Sequence, residues 1–209
     1  MSHAFHWTDA SVRAALSQPR PSGDTSRPSF SQVSTDTRAL KPGALFLALV
    51  GDRFDAHDFI DVAVDAGAAG LVVSRPVDAP AGVVVYQVRD TLVALGDLAR
   101  FRRRTLGARV VGVTGSSGKT TTKELIREVL STTYSVLATR GNLNNHIGVP
   151  LTLLSLKQEE IAIVEMGANH PGEIAALAQI AAPELGLITN VGKAHLEGFG
   201  SLEGCLLYT

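Results

Sequence analysis

The segment Val110–Glu124, VVGVTGSSGKTTTKE, contains the residues that could do the most specific chemistry in this chain. Its two glycines, Gly115 and Gly118, allow the backbone to approach an anion closely. Lys119 and Thr120 then suit the outer phosphates of a nucleotide and a magnesium ion. Unpaired backbone N–H groups at a helix N-terminus also favour phosphate. The segment therefore predicts a nucleotide phosphate loop that opens a helix.

The spacing of this loop differs from the strict Walker A pattern. That pattern requires a glycine five positions before Gly118, where this chain has Val113. A glycine- and serine-rich turn without function is the alternative when the loop is read alone. The β-branched run before the loop favours a buried strand, and the residues after it favour an amphipathic helix. The predicted apolar face of that helix consists of Leu125, Ile126, Val129 and Leu130.

Three further segments place polar side chains where short apolar runs end. The run Ile161–Val164 leads to Glu165, a carboxylate that suits Mg²⁺ or the orientation of a nucleophile beside a phosphate. The segment Thr139–Pro150 (TRGNLNNHIGVP) is rich in asparagine, and His195 follows the run Leu185–Asn190. Read one at a time, the three segments are also compatible with an ordinary asparagine-rich loop, a solvent-exposed glutamate and a structural histidine, and the structural role is the more common one for a lone histidine.

Apolar runs alternate with helical patterns along the chain. Before residue 90, helices are predicted at Thr8–Ser17 and Asp58–Ala66, and strands at Ala44–Val50, Gly70–Ser74 and Val83–Val88. A helix from Asp90 or Thr91 to Arg104 leads to the strand before the loop, and later strands are predicted at Ser135–Ala138, Ile161–Glu165 and Leu185–Asn190. This alternation predicts an α/β fold whose second sheet is parallel and doubly wound, with ligands at the carboxyl ends of its strands.

Composition favours a cytoplasmic enzyme. The chain has 209 residues, of which 45% are hydrophobic, so it can bury a substantial core. Its net charge of −1 gives no general attraction to nucleic acid or anionic lipid, and the Arg102–Arg104 run predicts only a solvated helix end. No apolar run approaches the length of a membrane span, and the N-terminus is polar and amphipathic where a signal peptide would be continuously apolar. The single cysteine, Cys205, agrees with a reducing compartment.

Four strings in this chain resemble one protein family. In chain order, GSSGKTTTKE, GNLNNHIGVPLTLL, EMGANHPGEI and NVGKAHLEGFGSLEG are similar to the central ATP-binding domain of the Mur ligases. Upstream, Ser34–Ile60 (STDTRALKPGALFLALVGDRFDAHDFI) resembles the family's N-terminal domain, which holds the UDP-sugar end of the substrate. The resemblance covers nearly all of Ser34–Gly204. The short spacing of the phosphate loop agrees with this family.

The resemblance implies an ATP-dependent ligase of peptidoglycan synthesis, and so of cell-wall biogenesis, cell shape and cell division. The most similar branch uses ATP to phosphorylate the C-terminal carboxylate of UDP-N-acetylmuramoyl-tripeptide, and the amine of D-alanyl-D-alanine then attacks the acyl phosphate. The implied cofactors are ATP and Mg²⁺, and a monomer is expected. Two alternatives stay open: another phosphoryl-transfer enzyme with the same loop, and a non-catalytic nucleotide-sugar-binding fragment.

The resemblance also implies roles for individual residues. The implied catalytic residues are Lys119, Glu165 and His195, and the implied magnesium ligands are Thr120, Glu165 and His195. ATP binding is implied for Gly115, Ser116, Ser117, Gly118, Lys119, Thr120 and Thr121. Contacts with the UDP-sugar substrate are implied for Ser34, Asp36, Thr37, Arg38, Asn142 and Asn145. Arg38 suits the diphosphate because its planar guanidinium pairs two oxygens at once, although a surface arginine after a turn would look the same.

The family match also sets the expected domains. Residues 1–90 are predicted to form a small N-terminal α/β domain that binds the UDP-sugar, and residues 91–204 an incomplete central P-loop ATP-binding domain. After residue 204 the family continues as a helix towards a lysine that becomes carbamylated. Residues 205–209, CLLYT, can instead be encoded by a transposon end used in preparing sequencing libraries, so we interpret them as a non-native tail. The C-terminal ligase domain is expected to be absent and the fragment inactive.

Overall fold

A computed structural model describes residues 5–20, 28–51 and 54–192. His195 and the tail at residues 205–209 lie outside these ranges. The chain divides into two compact units, Met1–Leu98 and Ala99–Thr209. Among the helices of the described ranges, none combines the length and apolar character needed to cross a membrane.

The first unit contains a parallel four-stranded sheet. Its elements are β1 (Trp7–Thr8), α1 (Asp9–Ala15), β2 (Ser29–Phe30), β3 (Val33–Ser34), β4 (Leu45–Leu47), β5 (Val50–Gly51), β6 (Phe54–Asp55), α2 (Ile60–Asp65), β7 (Gly70–Val73) and β8 (Val84–Gln87). The parallel sheet has the strand order β3-β4-β7-β8, and β1-β2 and β5-β6 are antiparallel pairs. One apolar run, predicted as a single strand over Ala44–Val50, forms both β4 and β5, because the chain leaves the sheet to make the β5-β6 hairpin.

The second unit is built around a parallel sheet, as the sequence predicts. The helix α3 (Thr91–Leu106) leads to β9 (Arg109–Thr114), α4 (Lys119–Leu130), β10 (Val136–Ala138), α5 (Gly148–Leu154), β11 (Ile161–Glu165), α6 (Glu173–Ala181) and β12 (Leu185–Ile188). The strand order is β10-β11-β9-β12. Side chains of α5 and α6 pack on one face of this sheet, whereas α4 packs on the other. The predicted α/β fold with a doubly wound parallel sheet is therefore confirmed.

The buried face of α4 differs from the predicted one. Ile126 and Leu130 pack against Ile161 and Ile163 as expected. Leu125 and Val129, however, are 64% and 69% exposed, whereas Lys123 on the same helix is only 1% exposed. The face towards the sheet runs through positions 123, 126 and 130, which are three and four residues apart, and this geometry leaves the other two apolar residues at the side.

Two arginines of the Arg102–Arg104 run also differ from the prediction of a solvated helix end. The Arg102 side chain donates to the Leu156 carbonyl, just after α5, with Nε 2.7 Å from the oxygen. The Arg103 side chain donates to the Ala182 carbonyl at the end of α6, at 3.0 Å, and is only 14% exposed. The last carbonyls of a helix have no partner within that helix and attract cations, so both guanidinium groups lie at helix C-termini. Only Arg104 is exposed as predicted.

Candidate functional site

The phosphate loop, Gly115–Gly118, connects β9 directly to α4. Gly118 has φ +79°, a left-handed conformation, and the helix begins at the next residue. Gly115 has φ +131°, and a Cβ atom there would lie 2.2 Å from Thr189 Oγ1. Both positions therefore require glycine, the first for its backbone conformation and the second for conformation and space.

The N-terminus of α4 is open to an anion. The first N–H groups of a helix have no acceptor within the helix, and here no described side chain caps them. The first turn contains no acidic residue. The Lys119 ammonium lies beside the loop, where it donates to the Gly115 carbonyl at 2.5 Å. The helix dipole and this cation together give the site a positive potential suited to phosphate.

Glu165 ends β11 on the other side of this opening. The Thr120 hydroxyl donates to Glu165 Oε2 at 3.0 Å, and the Asn144 amide donates to Oε1 at 2.9 Å. The carboxylate is only 2% exposed, and no cationic side chain of the described ranges forms an ion pair with it. A buried carboxylate without a cation attracts one strongly, because charges interact strongly where water is excluded.

These residues fit a magnesium ion that also binds a nucleotide. Magnesium prefers oxygen ligands and commonly uses one or two side chains together with phosphates and water. Thr120 and Glu165 offer a hydroxyl and a carboxylate oxygen at one place, beside the phosphate loop. Within residues 5–20, 28–51 and 54–192, no group of three histidine, cysteine or acidic side chains could hold a metal by itself. The third predicted ligand, His195, lies outside those ranges.

Three residues that support Glu165 were not predicted as site residues, namely Thr139, Lys123 and Asn144. The Glu165 amide donates to Thr139 Oγ1 at 3.0 Å, and the buried Lys123 ammonium donates to the Thr139 carbonyl at 2.6 Å. Lys123 therefore fixes the end of β10 against which the end of β11 is held. Asn144 binds the carboxylate itself. The available signals were the second lysine of the phosphate-loop motif GSSGKTTTKE, Lys123, and the unusual number of asparagines.

Asn142 and Asn145, the two predicted residues of the asparagine-rich loop, have different tasks from Asn144. Asn145 Oδ1 accepts from the amides of Ile147 and Gly148, at 3.1 and 2.8 Å, and so stabilises the start of α5. Asn142 lines a cavity of about 340 Å³ that also includes Lys119. Both residues of the predicted pair therefore line the opening, although the Asn145 side-chain oxygen is occupied by the fold.

Glu173, at the start of α6, lines the same cavity. Its carboxylate accepts from the amides of Asn169, at 2.6 Å, and His170, at 3.2 Å. Burial raises the pKa of Glu173, but these amide hydrogen bonds and the charges of His170 and His146 outweigh it, so its pKa is lowered overall. The turn after β11 is therefore held by an ionised carboxylate.

The segment after β12, Thr189–Gly192, contacts the phosphate loop from the side opposite Glu165. It forms hydrogen bonds with both serines of the loop, Ser116 and Ser117. Sequence reasoning assigned no role to Thr189 or Asn190, since threonine and asparagine are common where strands end.

In the first unit, the predicted UDP-binding residues cluster after β3. Ser34 is 8% exposed, and its hydroxyl donates to the Asp36 carbonyl at 3.0 Å. Asp36 caps a 3₁₀ turn at Thr37–Ala39 and forms an ion pair with Arg38 whose Nη2–Oδ2 distance is 2.7 Å. The hydrogen bond from the Arg38 side chain is the main reason why the pKa of Asp36 falls to about 2. The Arg38 side chain is 88% exposed. The structure thus brings these residues together at the end of β3 and in the turn that follows it.

His57, which the sequence left without a role, is a structural residue. Its ring is buried, and Nδ1 lies 2.6 Å from Asp55 Oδ1. The other ring nitrogen, Nε2, accepts a hydrogen bond from the Ser74 amide at 3.0 Å. The histidine therefore joins the β5-β6 hairpin to the end of β7. The pKa of Asp55 is lowered, chiefly because the His57 backbone amide donates to its carboxylate.

Comparison with known protein families gives two matches. Residues 113–206 match the Mur ligase middle domain. Residues 29–103 match a domain described as Mur ligase family, catalytic domain. Together the two matches include the phosphate loop, Glu165 and the cluster after β3.

The chain is also similar to individual proteins. It is 54% identical over 173 residues to the UDP-N-acetylmuramoyl-tripeptide–D-alanyl-D-alanine ligase of Escherichia coli, an alignment that covers 82% of this chain and 38% of that protein. It is 47% identical over 189 residues to the Bacillus subtilis ligase of the same name, with 87% and 41% covered. The chain thus spans about two fifths of the length of these relatives.

Solved structures give the same picture. A crystal structure of MurF from Acinetobacter baumannii superposes with a TM-score of 0.88 at 40% identity, covering 98% of this chain and 45% of that one. MurF from Thermotoga maritima, solved in complex with ADP, gives a TM-score of 0.79 at 40% identity and covers 85% of this chain and 41% of that one.

Proposed function

Because the chain belongs to the Mur ligase family, we propose that it forms the UDP-sugar-binding and ATP-binding part of a ligase that joins D-alanyl-D-alanine to UDP-N-acetylmuramoyl-tripeptide. One observation carries the proposal: the Thr120 hydroxyl and the buried Glu165 carboxylate meet beside an uncapped phosphate loop. Relatives named for this reaction are about half identical to the chain. We propose residues 1–90 and 91–204 as the two domains involved.

The proposed reaction proceeds in two steps. A carboxylate oxygen of the tripeptide attacks the γ-phosphorus of ATP, which forms an acyl phosphate and releases ADP. The amine of D-alanyl-D-alanine then attacks the acyl carbon, phosphate leaves, and the nitrogen loses a proton to give the amide. Phosphorylation is needed because a free carboxylate is a poor acyl donor. In this scheme Lys119 neutralises the charge that develops on the transferred phosphoryl group.

Magnesium would be held by Thr120 and Glu165, with His195 as a proposed ligand of a second ion. Bound there, the metal would neutralise phosphate charge and orient the phosphates. Asn144 fixes the Glu165 carboxylate through Oε1, so that Oε2 faces Thr120. A residue that hydrogen-bonds to a metal ligand, as Asn144 does to Glu165, commonly tunes the affinity for the metal.

The substrate side of the proposal rests on the cluster after β3 and on the asparagine-rich loop. We propose that Ser34, Asp36, Thr37 and Arg38 contact the UDP portion, with Arg38 exchanging its Asp36 partner for a phosphate. Asn142 and Asn145 would line the path between nucleotide and UDP-sugar. ATP and nucleotide-sugar substrates place the proposed enzyme in the cytoplasm, and we propose that it acts as a monomer.

The decisive experiment restores the length of the relatives. Residues 1–204 are joined to the remaining C-terminal part of the E. coli ligase, with which the chain shares 54% identity. In this chimaera, phosphate release should require UDP-N-acetylmuramoyl-tripeptide and D-alanyl-D-alanine together. The Lys119→Ala chimaera is the matched inactive control.

Two outcomes would contradict the proposal. Phosphate release with ATP alone would indicate another phosphoryl-transfer enzyme. Efficient dipeptide ligation by the 209-residue chain itself would show that the C-terminal part of the relatives is not needed for the reaction. If the chimaera does not fold, ATP titration of the 209-residue chain by calorimetry still tests the nucleotide site, and binding that survives Lys119→Ala unchanged would count against it.

A further inference from the structure

The segment Thr189–Gly192 is connected to the phosphate loop by a dense set of hydrogen bonds. The Ser117 amide donates to Asn190 Oδ1 at 2.9 Å, and Asn190 Nδ2 donates to Ser117 Oγ at 2.8 Å. The Ser116 amide donates to the Asn190 carbonyl at 3.1 Å. Asn190 thus binds two consecutive loop residues through its backbone and both ends of its side chain.

The neighbours of Asn190 extend this contact. The Thr189 hydroxyl donates to the Ser117 carbonyl at 2.6 Å, and Ser116 Oγ accepts from the Gly192 amide at 2.9 Å. The orientation of the Asn190 amide is fixed chemically, since a backbone N–H can only donate and its partner must be the side-chain oxygen. The contact is therefore directional rather than a loose polar packing.

The same segment leaves no space for a side chain at Gly115, the first residue of the loop. A Cβ atom on Gly115 would meet the Asn190 carbonyl oxygen at 2.9 Å in addition to the Thr189 hydroxyl. The loop backbone therefore lies directly against the chain that leaves β12. A loop held this closely has little freedom to change shape when a ligand arrives.

We propose that Asn190 is a positioning residue of the nucleotide site, one that fixes the shape of the phosphate loop through Ser116 and Ser117. Since both serine amides already donate to Asn190, the amides directed to phosphate are those from Gly118 to Thr121. Ser116 and Ser117, which the family resemblance implies as ATP ligands, then serve to anchor the loop. This inference rests on the proposed nucleotide site and deepens it.

If Asn190 holds the phosphate loop in its binding shape, the affinity of the loop for phosphate should depend on the Asn190 side chain. Without the Asn190 side chain, the ligand itself must supply the part of the ordering of Ser117 that this side chain provides, and that ordering reduces affinity. The loss of two hydrogen bonds in Asn190→Ala should weaken ATP binding to the 209-residue chain by about tenfold. Inorganic tripolyphosphate should lose affinity by a similar factor, because the effect acts through the phosphates. Ser117→Ala, which removes only one of the two bonds, should have a smaller effect.

The experiment combines calorimetry with amide hydrogen exchange measured by NMR. In Asn190→Ala, the Ser117 amide should exchange about tenfold faster, whereas the amides of β9 should keep their protection. Thr133→Ala, at the far end of α4, is the matched control and should change neither measurement. If Asn190 only stabilised the fold, Asn190→Ala would speed amide exchange throughout the sheet. Any loss of tripolyphosphate affinity would then be explained by the loss of global stability.

The outcomes separate this inference from the proposed function. If Asn190→Ala binds ATP and tripolyphosphate within twofold of the unchanged chain, the inference is wrong while the nucleotide site stands. If the unchanged chain binds neither ligand, the proposed nucleotide site fails in this chain. In that case the Ser117 exchange rate still decides whether Asn190 holds the loop, and an unchanged rate would overturn the inference.

Discussion

β11 and β12 flank the same strand, β9, and both end beside the phosphate loop, yet their surroundings are opposite. All five residues of β11 are buried, whereas all four residues of β12 are exposed. β11 ends in a carboxylate, and β12 is followed by neutral hydrogen-bonding groups. The comparison indicates a division of tasks: the strand that ends in Glu165 positions a charge, and the segment after β12 positions the loop backbone through hydrogen bonds.

The physical reason lies in the response of each group to water. A carboxylate has its strongest influence on a cation where water is excluded, as at Glu165. Hydrogen bonds between backbone and amide side chains contribute about 1 kcal/mol each, so the two that the Asn190 side chain forms with Ser117 suffice to hold the loop in place. Leu185 and Leu187 of that strand line an apolar cavity of about 530 Å³ against α4.

The largest expected effect tests the charge on the buried side. Glu165→Ala in the chimaera should lower the rate of phosphate release by roughly a hundredfold to a thousandfold, because charge stabilisation in the transition state is lost. Glu128→Gln, on the exposed face of α4, is the control and should keep its activity. Loss of less than tenfold for Glu165→Ala would remove the proposed difference between the two strands.

Asn144→Ala should come next. Losing the hydrogen bond that orients Glu165 should raise the magnesium concentration needed for half-maximal activity by about tenfold or more, a typical loss when a ligand's supporting partner is removed. A magnesium titration of phosphate release measures this. A fall in maximal rate with an unchanged magnesium requirement would show that Asn144 does not act through the metal site.

The third test compares the two strands by stability alone. Ile163→Ala on β11, where the residue is fully buried, should lower the free energy of unfolding by about 2–5 kcal/mol. Ile188→Ala on β12, where the residue is 54% exposed, should cost less than about 1 kcal/mol. Urea unfolding of the 209-residue chain gives both values, and equal losses would mean that β12 is covered in solution.

Lys123→Met should have an effect of similar kind but smaller size. It leaves the buried Thr139 carbonyl without its donor, and an unsatisfied buried group costs about 1–3 kcal/mol. Lys157→Met, at an exposed position, should be neutral in the same urea experiment. A neutral result for Lys123→Met would show that the end of β10 is held by the sheet alone.

The smallest effect concerns pH and the turn after β11. Because the pKa of Glu173 is lowered in the folded chain, its contribution to stability is present above the ordinary glutamate pKa of about 4.3 and is lost as pH falls through the lower folded value. The Asn169 and His170 amide shifts should therefore titrate with a midpoint below about 4.3. Glu173→Gln should abolish that titration, and a midpoint above about 4.3 would contradict the lowered pKa.

The sequence was sufficient for the parts of the site that follow one another along the chain. The strand, the glycine-hinged loop and the helix at Lys119 are local, and an apolar run that ends in Glu165 points to the carboxyl edge of a parallel sheet. The residues that support the site were missed because their partners are distant. Asn144 and Asn190 are short polar residues of a type found in many turns, and only the strand order shows what they contact.

The buried face of α4 was predicted only in part, again because its contacts are with distant residues. Spacing alone predicted a face with Leu125 and Val129, but the sheet covers the stripe through Lys123 and Ile126. A lysine counts as polar in any pattern, although here its ammonium reaches a buried carbonyl. Arg102 and Arg103 show the same limitation, since a charge pattern does not reveal which helix ends lie within reach.

The bond between Ser117 and Asn190 joins residues 73 positions apart in the chain. Parallel sheets form slowly because such distant segments must meet before their contacts stabilise anything. During synthesis the phosphate loop therefore emerges from the ribosome well before the residue that completes its shape. A nascent chain that ends before residue 190 should contain the nucleotide motif but not the folded cradle, so ATP would become able to assist folding of the loop only after residue 190 has been translated.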